Sequence, residues 1–440
     1  MNPNGVLLEH TLKEILAVLQ PESNDWVARF QVIEELRRVV DSLESMRGAT
    51  VEPFGSFVSN LFTRSGDLDI SIELANGSFI SSSGKKHKQK LLRALMEAMR
   101  QRGGWNKYQC IPNARVPILK VQSNIQNISC DISVDNLQAQ MKSKMLLWIT
   151  EIDTRFRDMV LLVKEWAKAH NINNSKTGTF NSYSLSLLVV FHFQTCVPAI
   201  FPPLKDIYPG NIADDLQGLR ANAERQISET CAANIARFRS QRGRAVNHSS
   251  LSDLFISFLS KFSNINSRAS ELGICPFTGQ WEYISSNTRW LPQTHAIFVT
   301  PPQVFLYLLI EDPFGQPENS ARAVNASQLT KISEAFQSTY RRLVSRNQNQ
   351  NDFLAPLVRQ QTSQLIPRNQ RYNPHSVYQP TRPQWLTADF SHPPQYARHG
   401  SGRHQQTRPQ VAYLTTRVPN ARAYQVQNQQ QQLWRPRSRR

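Results

Sequence analysis

A chain of 440 residues, 40% of them hydrophobic, is long enough for two packed lobes and a tail. Its five cysteines are scattered without a C-x-x-C pair, which argues against a disulfide framework or a zinc site and for a reducing compartment. The formal net charge of +18 suits a polyanionic partner, but residues 346–440 hold 14 Arg, no Lys and only two acids, Asp352 and Asp389, so the preceding part is only mildly basic.

The start, Met1-Asn2-Pro3-Asn4-Gly5, lacks the basic-then-apolar pattern of a signal peptide. The most apolar run, Leu185 to Phe193, is shorter than the ~20 residues a bilayer span needs. A cytoplasmic and nuclear location, without secretion, is the expectation. Residues 5 to 47 read as two helices. Leu12, Ile15, Leu16 and Leu19 recur at helical spacing, Pro21 to Asp25 interrupts, and Trp26, Phe30, Ile33, Leu36 and Val40 resume the stripe.

The sharpest stretch follows. Gly55-Ser56 forms a small turn, and Asp67-Leu68-Asp69-Ile70-Ser71-Ile72 alternates polar and apolar residues. That is a strand period, so Asp67 and Asp69 project from one face while Leu68, Ile70 and Ile72 face the core. Two carboxylates on one face repel unless a cation lies between them, and hard divalent ions bring substrate phosphates with them. Taken alone, an Asp-x-Asp strand is also what a solvated face looks like. The polar connection Ser81 to Lys88 leads into a helix over 90–101. Strands are expected over 115–121 and 127–134. In the second, Ile128, Cys130, Ile132 and Val134 alternate with Ser129, Asp131 and Ser133. Asp131 is the third carboxylate. With Asp67 and Asp69 it completes a triad able to hold two Mg²⁺ or Mn²⁺ ions for in-line phosphoryl transfer.

Gly55-Ser56, Asp67-x-Asp69 and the late Asp131 resemble the DNA polymerase beta-like nucleotidyltransferase superfamily. Later segments narrow the resemblance to terminal RNA uridylyltransferases and cytoplasmic-type poly(A) polymerases, nearest to the plant uridylyltransferases that tail small RNAs. It covers residues 5 to about 340. The resemblance implies an α+β fold: a polymerase-beta-like lobe with a mixed sheet and helices over 46–140, and a helical, PAP-associated lobe over 141–345. The helices of 1–45 are expected to pack on the helical lobe, and 346–440 to form a disordered tail.

In the helical part, Phe156, Met159, Val160, Val163 and Ala167 form an apolar stripe, and Lys164 and Lys168 stand one turn apart on another face. Two stacked ammonium groups suit a triphosphate, but Glu165 beside them makes a surface ion pair the favoured reading of these residues taken alone. The resemblance assigns the Lys pair to the incoming triphosphate, Ser182 to the phosphates and Tyr183 to the base. It places Asn136 near the nucleotide, with Gly55 and Ser56 at the phosphates. It aligns Glu311-Asp312-Pro313-Phe314 with the nucleotide recognition loop, so that Asp312 faces the base edge. Two departures concern base choice: Glu318 stands where many uridylyltransferases have His, and Met141-Lys142-Ser143 where an Asn is common. Arg237, Arg239, Arg242 and Arg244 form a basic cluster that reads as an RNA contact or as a solvated loop.

From 346 onward the chain holds 18 Gln and interleaves Arg with Tyr and Trp, a composition for RNA contacts or for docking silencing or decay proteins rather than for a core. The expected activity is addition of uridines from UTP to RNA 3′ ends of small or cleaved RNAs. Adenosine addition is the alternative within the class, and a catalytically silent RNA-binding scaffold the alternative outside it.

Overall fold

The structure, a computed structural model, describes residues 3–74, 80, 84–290, 308–345 and 349–366. The alternating stretch after Gly66 forms β2 (Leu68–Glu73), with Leu68, Ile70 and Ile72 buried. It lies inside a five-stranded mixed sheet. The order is β1 (Thr50–Phe54), β2, β5 (Ser129–Val134), β4 (Ile118–Ser123) and β3 (Trp105–Ile111). Only β2 and β5 run parallel. A parallel neighbour needs a long crossover, and α4 (Lys85–Arg102) with the hairpin of β3 and β4 provides it. Leu91, Leu92, Leu95 and Met99 are the buried face of α4.

Three features depart from the sequence reading. First, β3 was not expected. It is an edge strand buried on few positions, so it carries little apolar alternation to read. Second, α1 (Pro3–Leu19) packs on the helical part, but α2 (Ser23–Asp41) packs on β1 and α4. The Trp26 ring of α2 sits edge-on to Phe62 at 4.5 Å and beside Phe57 at 5.0 Å, which ties this helix to the segment leading to Asp67. Third, the folded part runs beyond 345. Helices Gln350–Leu357 and Gln360–Leu365 bury Phe353, Leu354, Leu357 and Ile366 in the helical core. These apolar residues, set among Gln and Asn, end the tail assignment for 349–366. Residues 367–440, including the aromatic and Arg-rich remainder, lie outside the described residues, as do 291–307.

The helical part is built on α6 (Thr154–Ala169) and α7 (Ser182–Thr195), both buried on several faces. Asp153 caps α6 by accepting from the Arg155 N–H at 2.9 Å. Asn181 caps α7 by accepting from the Ser184 N–H at 2.7 Å. Phe156, Phe193 and Phe201 pack edge-on and tilted against one another, and Trp166 packs on Phe336 of helix Ala326–Val344. Among the described residues this part also contains the small hairpin β6 (Leu272–Cys275) and β7 (Gln280–Tyr283). It contains the 21-residue helix Arg220–Ser240 as well, where a less regular segment was expected. No described helix is long and apolar enough to cross a membrane.

Candidate active site

Register places the carboxylates. In the parallel β2–β5 pair, Asp69 is the direct partner of Asp131, and Asp67 lies one residue before β2. Beside them, Gly55 opens the short helix α3 (Gly55–Val58) with φ +69°. A Cβ on Gly55 would lie 2.0 Å from Asp69 Oδ2, so only glycine lets the turn approach the carboxylate. The Gly55 N–H donates to Ser143 Oγ at 2.7 Å, and Ser143 sits on α5 (Leu137–Thr150), the helix that follows β5.

The three acids crowd each other. Burial first, then Asp131 and Asp67, pushes Asp69 up to about 7. Burial and Asp131 also raise Asp67. Two basic residues that sequence reasoning did not single out answer this charge. Lys120, the β4 register partner of Asp131, donates to its Oδ1 at 2.6 Å and its Oδ2 at 2.5 Å. Buried Arg29 of α2 donates to the carbonyls of Arg64 at 3.0 Å and Gly66 at 2.7 Å, fixing the turn that delivers Asp67. Lys120 was findable, because it alternates with buried Leu119 and Val121 on a strand next to Asp131. Arg29 was not, because it lies on the apolar side of a helix where the sequence shows only an ordinary charged residue.

A cleft of about 880 Å³ opens in front of these groups, and every site residue named from the sequence lines it. Lys164 is buried and donates to the Leu61 carbonyl at 3.1 Å. Burial, then Lys168, pushes Lys164 down to about 7. Burial also lowers Lys168. Ser182, the first residue of α7, hydrogen-bonds the side chain of Asn173, which also lines the cleft. Asn136 stands just before α5 and its side chain makes no cap to that helix; its N–H donates to Ser71 Oγ at 2.9 Å and its amide to Ser133 Oγ at 3.4 Å.

At the far end stands Asp312, only 4% exposed. Its Oδ1 accepts from the Tyr183 hydroxyl at 3.0 Å and from the Phe314 N–H at 3.1 Å. Its Oδ2 accepts from Lys142 Nζ at 2.6 Å. Burial, with Asp312 next to it, raises the Tyr183 phenol well above its usual range, so the hydroxyl stays a donor. A Cβ on Gly315 would fall 2.6 Å from Lys142 Nζ, so the glycine makes room for this lysine. Glu318 does not face the cleft alone. It pairs with Arg115 from the segment between β3 and β4. Burial opposes its charge, but the Arg115 hydrogen bond holds its carboxyl below the usual range.

Among the described residues, no group of three Asp, Glu, His or Cys side chains is closed into a ready-made metal cage. The donor set still fits a hard divalent cation. It is all carboxylate oxygen, and its crowding is what such a charge relieves. Asp131 would exchange its Lys120 partner for the ion.

Residues 8–151 match the model of the central palm domain of mitochondrial-like poly(A) RNA polymerases. The chain is 56% identical to Protein HESO1 of Arabidopsis thaliana over 387 residues, spanning 86% of this chain and 73% of that one. It is 25% identical to Poly(A) RNA polymerase GLD2 of Bos taurus over 347 residues, 77% of this chain and 65% of the cattle protein. Among solved structures, the Cid1 poly(U) polymerase superposes with a TM-score of 0.59 at 22% identity, covering 79% of this chain and 97% of that one. The mtPAP structure in complex with UTP superposes at 0.60 with 20% identity, covering 78% and 69%. Carboxylates held in register beside a glycine turn, the palm-domain match and the extended identity to the plant relative agree: the chain belongs to the terminal RNA uridylyltransferase and cytoplasmic-type poly(A) polymerase family of the DNA polymerase beta-like nucleotidyltransferase superfamily.

Proposed function

We propose that the protein transfers uridylyl groups from UTP to the 3′-hydroxyl of RNA, releasing pyrophosphate, on small or cleaved RNAs. One observation carries the reading. Three carboxylates, Asp69 and Asp131 paired across β2 and β5 and Asp67 just ahead of β2, line one cleft with a lysine pair and a tyrosine. The acids mark the reacting end and the lysines the polyphosphate end. Lys164 and Lys168 would hold the triphosphate, with Ser56 and the start of α3 alongside. Tyr183 would lie against the base. Asp67, Asp69 and Asp131 would hold Mg²⁺ or Mn²⁺, which supplies Lewis acidity toward the attacking hydroxyl and offsets charge on the leaving pyrophosphate. Arg29 keeps Asp67 in place by holding the carbonyls ahead of it.

The base end supports uridine. Asp312 already accepts from Tyr183, Phe314 and Lys142. Lys142 keeps ammonium N–H groups beyond the one it gives Asp312, donors that match a carbonyl of uracil and oppose the amino group of adenine. The test uses purified protein, a labelled small RNA with a free 3′-hydroxyl, Mg²⁺ and each nucleoside triphosphate in turn. A ladder with UTP is expected. A ladder confined to ATP replaces uridine by adenosine, and no ladder with either Mg²⁺ or Mn²⁺ removes the enzyme reading in favour of a silent scaffold. Asp67→Ala with Asp69→Ala is expected to abolish extension and leave RNA binding nearly intact.

A further inference from the structure

Glu165 sits between Lys164 and Lys168 on α6, three residues ahead of Lys168. On a bare helix that spacing makes an ion pair, and a Glu165–Lys168 pair would neutralise a cation the triphosphate needs. In the structure the pair does not form. Glu165 is only 2% exposed and is held by the segment that follows the expected end of the fold. Its Oε1 accepts from the Arg359 N–H at 3.2 Å, Arg359 Nε at 3.1 Å and Thr362 Oγ1 at 2.5 Å. Its Oε2 accepts from Arg359 Nη2 at 2.8 Å. No salt bridge reaches Lys164 or Lys168 among the described residues. The clamp is itself anchored. Phe353, Leu357 and Val358 are buried in the helical core, and the Pro356 carbonyl meets His170 Nε2 of the α6 C-terminus at 2.9 Å.

We infer that the segment 349–366 supports the nucleotide site from outside the cleft, and that its Arg359 is a positioning residue which withholds Glu165 from ion pairing with Lys168 and so keeps that ammonium available to the triphosphate of UTP. The identity of that ligand rests on the uridylyltransferase reading. Arg359 touches neither substrate nor reacting atoms. It acts by occupying every acceptor of a carboxylate that would otherwise compete with phosphate for the same ammonium.

The experiment compares full-length wild type, Arg359→Ala, Glu165→Gln and the double variant by UTP titration on a labelled RNA. Equilibrium dialysis of UTP with each protein is run in parallel. Arg359→Ala is expected to raise KM for UTP about fivefold, the scale of one partly exposed ion pair, with kcat within about twofold. Glu165→Gln alone is expected to leave KM near the wild-type value, and the double variant to return it there. Dialysis should give the same order of affinities, so the inference is tested even if no nucleotide is transferred to RNA. A merely structural clamp would lower the melting temperature of Arg359→Ala without moving KM or UTP affinity. That result, or a double variant no better than Arg359→Ala, overturns the inference. If Arg359→Ala fails to fold, Arg359→Lys keeps the charge and loses the fork. It should raise KM by a smaller factor that Glu165→Gln cancels, and an unchanged KM overturns the inference as well.

Discussion

Replacing Gly55 by alanine probes the corner where the turn meets the carboxylates. The new Cβ would stand 2.0 Å from Asp69 Oδ2 and 2.8 Å from its Cγ, where ordinary contact begins near 3.4 Å. Either Asp69 or the turn moves by more than about 1 Å, and a displacement of that size at reacting groups costs on the order of 10²-fold in rate. The φ of +69° adds backbone strain of about 1–2 kcal/mol for any residue with a Cβ. Gly104 separates the two effects. Its φ is +86°, and the nearest atom to its Cβ is Glu35 Oε2 at 3.9 Å. Gly104→Ala should therefore lose comparable stability in a thermal melt and keep its turnover. Gly55→Ala should lose both. The assay is the initial rate of UTP addition to labelled RNA, alongside melting curves. A Gly55→Ala rate above about a third of wild type refutes the reasoning. So does a Gly104→Ala rate that falls as far as that of Gly55→Ala.

Three further outcomes are expected. Asp69 binds its proton more tightly folded, at about 7, than at the ordinary 3.8, so its ionisation lowers stability as pH rises through that window. Asp69→Asn should abolish extension yet gain about 2 kcal/mol over wild type at pH 8 in EDTA, allowing for partial exposure. A gain that does not shrink at pH 5 contradicts this. His192 runs oppositely: burial, then Lys261, pushes it down to about 3 from 6.5, so stability drains as pH falls below 6.5. Because Asp69 acts in the other direction over this range, the His192 contribution is read as a difference: in urea unfolding, His192→Gln should gain about 2 kcal/mol relative to wild type between pH 8 and pH 5. Equal losses in both proteins would count against it. Arg29→Ala strips donors from the Arg64 and Gly66 carbonyls and opens space beside the Phe62 ring. It should cost about 3 kcal/mol in urea unfolding and slow extension. A variant as stable as wild type would show that the clamp is idle.

Much of the site is local information. The period of two around Asp67 and Asp69, the same period around Asp131, and the one-turn spacing of Lys164 and Lys168 are facts about neighbours in the chain. The backbone geometry of a strand or helix converts each directly into a shared face. Helix Arg220–Ser240 carries the same kind of local signal, though a weaker one. Its buried residues Ala223, Ile227, Cys231 and Ile235 recur every fourth position, a narrow stripe masked by Arg and Asn around it.

What tertiary structure decided is which distant groups meet. Asp69 faces Asp131 because β2 and β5 pair in parallel register, and a slip of one residue would have turned one of them to the core. Arg115 on Glu318 and Arg359 on Glu165 join positions with no local relation. The same Glu165 reads from the sequence as a partner for Lys168. Only the fold shows that a segment rich in Gln and Asn returns to take it, because the burial of Phe353 and Leu357 fixes Arg359 over α6. Local periodicity determines which residues share a face. Long-range packing determines which charges they answer.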